Sequence, residues 1–338
     1  MYALILLNLG FNSIMNKAHF LFILLFTLGC TNSLKKNDAN YSSKLNTIAV
    51  IIDDDLWNGE IGDSIRNKFA SPVIGLPQEE PLFSLNQYPV KLLEGFKSNS
   101  RNVIIIKKVG KSEFKIDESS TLNPQNTIRF SGRTVQELID SIQVYSPYII
   151  KTIKNSEIHR YQNLLRLLPK AIDKEIKTKF NVKILLPEKY KLMLKGKNFV
   201  WFKKEITSGN LSVMMYQLPF KSISDNGTLV NRIIKIRDSI GNKYVHGAVP
   251  KTRMITEKSF APFVTKTVIY GKTTFETKGN WELSNDFMGG PFLNYAIFDQ
   301  PNNRILVIEG FCYAPAKQKR DLLFELEAIA KSILFLKK

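Results

Sequence analysis

The stretch "PFLNYAIFDQPNNRILVIEGFCYA", residues 291–314, decides the fold. Two apolar runs flank Gln300-Pro301-Asn302-Asn303, a cluster of turn-forming residues too short to hold anything but a hairpin connection. The runs are therefore expected to be antiparallel neighbours in one sheet. Upstream, "VTKTVIY" (264–270) and "KTTFETKGNWEL" (272–283) read as two more strands. "NVKILLP" (181–187), "FVWFKKE" (199–205) and "LSVMMYQLP" (211–219) read as three others. "GTLVNRIIKIRDSI" (227–240) has helical spacing. "KQKRDLLFELEAIAKSILFL" (317–336) is a terminal amphipathic helix with Leu322, Leu326, Ile329 and Ile333 on one stripe.

The first half has a different texture. "TIAVII" (47–52) is a buried strand, followed by a helix with Leu56, Ile61, Ile65 and Phe69 on one face. "GLPQEEPLF" (75–83) is an extended loop, and "PVKLLEGFKS" (89–98) a short helix. "RNVIIIKKV", "EFKI" and "NTIRF" are strands. From Thr134 a helical pattern runs to Leu168, with a kink or restart at Ser146-Pro147 and a stop at Pro169; a short basic helix follows to Lys179. The class is α+β, mainly antiparallel sheets covered by helices. The chain divides into 47–179 and 180–338, two subdomains or one continuous domain.

The N-terminus reads as an address. In "HFLFILLFTLGCTNSLKKND" (19–38), Phe20–Leu28 is an uncharged apolar run too short to span a bilayer and long enough for the core of a secretory signal. Thr27-Leu28-Gly29-Cys30 looks like a bacterial lipobox, with Thr27 in place of the usual leucine. Residues 1–29 are read as signal peptide, with Met15 as the biological start and Lys17 its one charge. Cys30 is read as the lipidated residue and 30–46 as a flexible polar tether. The alternatives are a non-lipidated signal or a buried N-terminal helix. Lipidation leaves Cys312 without a partner for an intramolecular disulfide, because the sequence has two cysteines.

Composition is that of a globular protein, 44% apolar and 23% charged. The net charge of +18 is uneven: −2 over 46–148, +5 over 149–179 and +12 over 180–338. The excess is either a lysine-rich solvated surface or an attraction to anionic headgroups and glycans. Export disfavours nucleic acid as the partner.

Each chemical candidate has a structural counterpart. Asp53, Asp54 and Asp55 end a strand and are weak metal candidates, but capping of the next helix accounts for them equally. Ser112-x-x-Lys115 and Ser224-Asp225-Asn226 match motifs of penicillin-binding enzymes, yet Ser112 lies in a strand-like stretch rather than at a helix start. His159 and His246 lack metal-ligand spacing. No nucleotide-binding loop occurs, and no cofactor is expected. Two stretches are candidate binding elements: Glu79 and Glu80 between prolines, and Phe287, Met288, Gly289, Gly290 and Phe292, where the glycines permit either positive φ or a close backbone approach.

These stretches carry a resemblance. "WNGEIGDSIR", "GLPQEEPLF", "RNVIII", "IRDSIG", "NDFMGGPFLNYAIFD", "EGFCYAP" and "KRDLLFELEAI", in that order, resemble a family of predicted Bacteroidota lipoproteins known as domain of unknown function family 4837. The resemblance implies a lipid-anchored envelope protein and brings no activity or catalytic residue. No acidic run follows Cys30, so an outer-membrane, periplasm-facing position is expected. The role expected is a non-catalytic module binding an envelope protein or an anionic glycan or lipid. The alternatives are an assembly accessory, or a hydrolase of wall, glycan or lipid using carboxylates such as Asp286 with Glu282 or Glu309.

Overall fold

A computed structural model of the chain describes residues 45–92, 100–118, 125–170 and 174–337. The signal, Cys30 and most of the tether lie outside the described residues.

The first sheet has the order β2-β1-β3-β5-β4, from β1 (Thr47–Ile51), β2 (Ser84–Tyr88), β3 (Asn102–Lys108), β4 (Glu113–Glu118) and β5 (Asn126–Gly132). It departs from the antiparallel expectation. β1 runs parallel to β2 and to β3, and β3 runs parallel to β5; β4 alone is antiparallel. A helical crossover sets the first pair, since α1 (Asp54–Trp57) and α2 (Glu60–Phe69) carry the chain from β1 back to β2, and the reversal through β4 sets the β3–β5 pair. Ile61, Ile65 and Phe69 of α2 pack on Ile48, Val50 and Ile104 of the sheet. The remaining cover is α3 (Val135–Leu167), capped where Thr134 Oγ1 accepts the Glu137 N–H at 3.1 Å. Leu138, Ile142, Ile149 and Ile153 join the same core. Pro147 does not break the helix. Its missing N–H would have met the Gln143 carbonyl, and Ser146 Oγ donates to that oxygen instead, at 3.4 Å.

β6 (Val182–Lys183) pairs antiparallel with β15 (Leu334–Phe335) as a separate ribbon, so the terminal helix stops at Ala330 rather than running on to 336. The second sheet is antiparallel throughout, in the order β10-β12-β13-β14-β9-β8-β7, with β11 (Phe263–Ile269) beside β12 (Lys272–Leu283). β13 (Gly289–Asp299) and β14 (Arg304–Tyr313) form the expected hairpin, with Asp299 opposite Arg304. β7 (Lys191–Gly196), β9 (Gly209–Pro219) and β10 (Met254–Thr256) complete it with β8 (Phe199–Ile206). The central strands are buried on both faces, so their sequences are nearly unbroken apolar runs. Leu293, Tyr295, Leu306 and Ile308 face α6 (Arg320–Ala330), through Leu323, Leu326 and Ile329. Phe292, Ala296, Ile305 and Val307 face the opposite way, toward Ile233 of α5 (Leu229–Tyr244).

The last helix, α6, lies between the two halves. Its outer side, Phe324 and Ala328, packs on Ile158 of α3, and Gln162 Nε2 of α3 donates to the Ala328 carbonyl at 3.0 Å. Lys44–Lys338 accordingly forms one compact unit. The start of α6 lacks a side-chain cap of its own. Glu80 supplies one from 239 residues away: Oε1 accepts the Lys319 N–H at 2.6 Å and Oε2 the Arg320 N–H at 2.9 Å. These are donors that a helix start leaves unpaired, and a carboxylate there also complements the dipole.

Behind α6 lies an ionic cluster. Glu327 pairs with Lys331; Lys278 pairs with Glu276 at 3.2 Å; Tyr295 OH donates to Glu276 at 2.7 Å; Lys154 of α3 faces the same carboxylates. Burial pushes the Glu327 carboxyl up, but Lys331, Lys278 and Lys154 outweigh it and hold it at about 2.

The seam yields two predictions. Glu80→Ala leaves two helix-start donors without their acceptor and lowers the free energy of urea unfolding by about 1–3 kcal/mol. Glu327 has a depressed folded-state pKa, so its stabilisation is present above the ordinary carboxylate range and lost as pH falls toward 2. Glu327→Gln is expected to cost up to about 3 kcal/mol at neutral pH and to flatten the acid limb of the stability curve between about pH 5 and pH 2, read from urea midpoints.

Candidate functional site

The sequence singled out stretches that the fold separates. Glu79 is exposed, while Glu80 is buried beneath α6 as its cap. Phe292 has no exposed surface. The glycine pair serves close strand approach rather than positive φ. A Cβ on Gly290 would lie 2.2 Å from the Cys312 carbonyl oxygen, and one on Gly289 would lie 2.8 Å from that of Trp281. Met288 is half-buried against the α5-side core, and Phe287 alone of this group is fully exposed, at 105%. No single groove unites these residues.

Asp53, Asp54 and Asp55 are exposed at the end of β1. Asp53 occupies the N-cap position of α1 without accepting a side-chain cap bond, and Asp54 Oδ1 accepts from Gln87 Nε2 at 2.8 Å. Among the described residues, no group of three or more His, Cys, Asp or Glu is placed to hold a metal ion. Ser112 is bonded to Glu137, and Lys115 is paired with Asp117 on strand β4, so the Ser-x-x-Lys spacing does not bring serine and lysine together. Cys312 is buried beneath α6, and burial pushes its thiol up to about 12.

The carboxylates considered for acid–base work are also apart. Asp286 lies in the turn after β12, where its Oδ1 accepts the Phe287 N–H at 2.7 Å. Glu309 is wholly buried on β14 opposite Asn294, five residues along β13 from the Gly289 that pairs with Glu282. That is roughly 17 Å of strand. Glu309 has another partner, Arg237 of α5, 2% exposed and 3.0 Å away. Arg237 also donates to Thr256 Oγ1 at 3.1 Å, and its guanidinium lies 3.8 Å above the Phe292 ring. Asn294 Nδ2 donates to Glu309 at 2.8 Å and reaches Tyr216 OH at 3.4 Å. Burial raises the Glu309 pKa, with Arg237 and Asn294 opposing. The network faces the protein interior and joins α5 to the sheet.

The surface feature is the rim at one end of the large sheet, built from two loops. The turn 284–288 is locked by Leu283 N–H to the Met288 carbonyl at 2.8 Å, with Asn285 at φ 61°. The loop 246–253, "HGAVPKTR", is tied to it reciprocally. Arg253 N–H donates to Ser284 Oγ at 3.2 Å, and Ser284 N–H to the Arg253 carbonyl at 2.9 Å. Within the loop, Gly247 N–H donates to Thr252 Oγ1 at 2.8 Å, and that hydroxyl donates to the Val249 carbonyl at 2.7 Å. This loop encloses a shallow cavity of about 430 Å³, lined by Asn242, His246, Lys251, Thr252, Arg253 and the segment 247–250. The carboxylate nearest its lining is Asp286, whose Oδ2 stands 3.1 Å from where a Cβ on Gly247 would lie. Lys251 and Arg253 are exposed and make no ion pair among the described residues. Such a hollow suits an anionic group. The sequence marked His246 and Phe287 singly; the register that joins their loops was not visible.

Comparisons with known proteins fit a chain of unassigned chemistry. Residues 169–332 match the family described as Domain of unknown function (DUF4837), and residues 42–166 match a separate Domain of unknown function (DUF8532). The motifs "WNGEIGDSIR", "GLPQEEPLF" and "RNVIII" fall in the latter. No curated protein matches the chain. Among solved structures, the solution structure of PsbP from the cyanobacterium Synechocystis sp. PCC 6803 is similar at 12% identity and a TM-score of 0.32, over 47% of this chain and 88% of that one. Human StAR-related lipid transfer protein 5 is similar at 8% identity and a TM-score of 0.23, over 52% and 93%.

The buried pair gives a third prediction. Arg237→Met strands the Glu309 carboxyl in the interior and is expected to cost about 3–5 kcal/mol in urea unfolding at neutral pH. The loss shrinks on acidification, when Glu309 takes up a proton. Adding Glu309→Met recovers most of it.

Proposed function

We propose, from the premise that residues 169–332 belong to the Domain of unknown function (DUF4837) family, that the chain is a membrane-tethered envelope module that binds rather than transforms its ligand. Acylation at Cys30 would hold it to a membrane. The basic rim is its binding surface, and an anionic envelope component is the ligand class.

One observation carries this reading: the cavity at loop 246–253 gathers Lys251, Arg253 and His246, and the carboxylate beside it, Asp286, is already engaged by the Phe287 N–H. The loop is fixed by hydrogen bonds to itself and to the neighbouring turn, so little conformational entropy is lost when a ligand settles there. The charge of the second half, +12 over 180–338, adds long-range attraction for anions.

The test has two arms. Intact-mass analysis of the protein purified from membranes is expected to show a chain beginning at Cys30 and carrying acyl groups. Calorimetric titration of the full chain with a soluble polyanion, inositol hexakisphosphate, is expected to show salt-sensitive binding. Lys251→Glu/Arg253→Glu weakens it by about tenfold or more. Equal affinity in that double variant would reject the rim as the site.

A further inference from the structure

Phe287 is the most exposed large apolar side chain among the described residues, at 105% of its reference area. Nothing in the fold requires it to be there. The turn that carries it is held by the Leu283–Met288 hydrogen bond and by the Asp286 carboxylate on the Phe287 N–H, so the ring projects from a fixed base rather than from a loose loop. Val249, 48% exposed, stands on the adjoining loop. Lys251 and Arg253 follow it, exposed, on that loop, and Lys243 lies exposed at the end of α5, which leads into the loop. The facing carboxylates are Asp286, whose Oδ1 accepts the Phe287 N–H and whose Oδ2 stands 3.1 Å from where a Cβ on Gly247 would lie, and Glu282, half-buried on β12.

A projecting aromatic ring, a second apolar residue and a surround of long cationic side chains is the pattern of an interfacial contact. The ring enters the boundary between headgroups and acyl chains while the cations meet phosphates. An anionic polymer in water would use the lysine and arginine but leave Phe287 exposed; a phospholipid surface uses both.

We infer that the anionic component bound by the rim is the phospholipid surface itself, with Phe287 inserted below the headgroups. This deepens the reading of the rim given above and rests on it. A tether alone leaves the orientation of the folded part open, whereas a second, rigid contact would fix the large sheet end-on to the bilayer.

The experiment places a reporter at the tip. The Phe287→Trp variant of the full chain is bound to vesicles of phosphatidylglycerol or of phosphatidylcholine, each with brominated acyl chains, and its fluorescence is corrected for the wild-type tryptophans. Phe260→Trp is the control, on an exposed residue in the loop between β10 and β11. The expected result is quenching of the indole introduced at position 287 on phosphatidylglycerol, loss of that quenching with Lys251→Glu/Arg253→Glu, and no quenching at position 260. An indole at position 287 that is unquenched on phosphatidylglycerol, or quenched equally with the one at position 260, overturns the inference. In that case, retained binding of inositol hexakisphosphate leaves the rim as a site for a soluble anion; loss of both rejects the rim altogether.

Discussion

Two carboxylate oxygens on two backbone N–H groups hold this architecture together at its seam. Glu80 lies in a proline-bounded loop of the first half, and the N–H groups of Lys319 and Arg320 open the last helix of the second. The contact is reinforced by Arg320 Nη1 on the Pro81 carbonyl at 2.9 Å and by Asn46 Nδ2 on Asp321 at 2.8 Å. Pro77 and Pro81 restrict the loop, which lowers the entropy lost in holding Glu80 inward. Helix α6 so fixed presents one side to the large sheet and the other to α3. The second half thus depends on a helix whose start the first half anchors.

The sequence was most legible where burial is two-sided. The hairpin of β13 and β14 and the helical stripes of α2, α3, α5 and α6 all follow from apolar period, because the cores on either side demand it. It was least legible at edges. β7 is exposed along most of its length, β2 reads as "SLNQY", and β10 is three residues long, so none carries an apolar pattern. The parallel order of the first sheet was hidden as well. Strand direction depends on the path of the connecting helices, and the sequence shows each element without its path.

Site residues divide in the same way. Glu80 and Gly290 stood out because each breaks local pattern, one as a charge between prolines and the other as a glycine entering a strand. Both answer structural needs, a distant helix cap and a close strand crossing. Arg237 drew no attention in sequence because an arginine at helical spacing ordinarily lies in solvent; its burial depends on Glu309, Thr256 and Phe292 brought from three other strands. The rim is likewise a product of register. Hydrogen bonds between Arg253 and Ser284 join two loops 31 residues apart.

The position of α6 also sets the timing of folding. In chain order this helix follows every strand of the large sheet, and both the core on that sheet's inner face and the Glu80 contact wait for it. A nascent chain that has not reached residue 330 has its large sheet bare on one face, while the first sheet and α3 already hold every residue of their shared core. The large sheet of such a chain stays open until that helix has emerged. The first half can therefore close on its own core early, and the large sheet gains its cover in a later step, when the helix arrives.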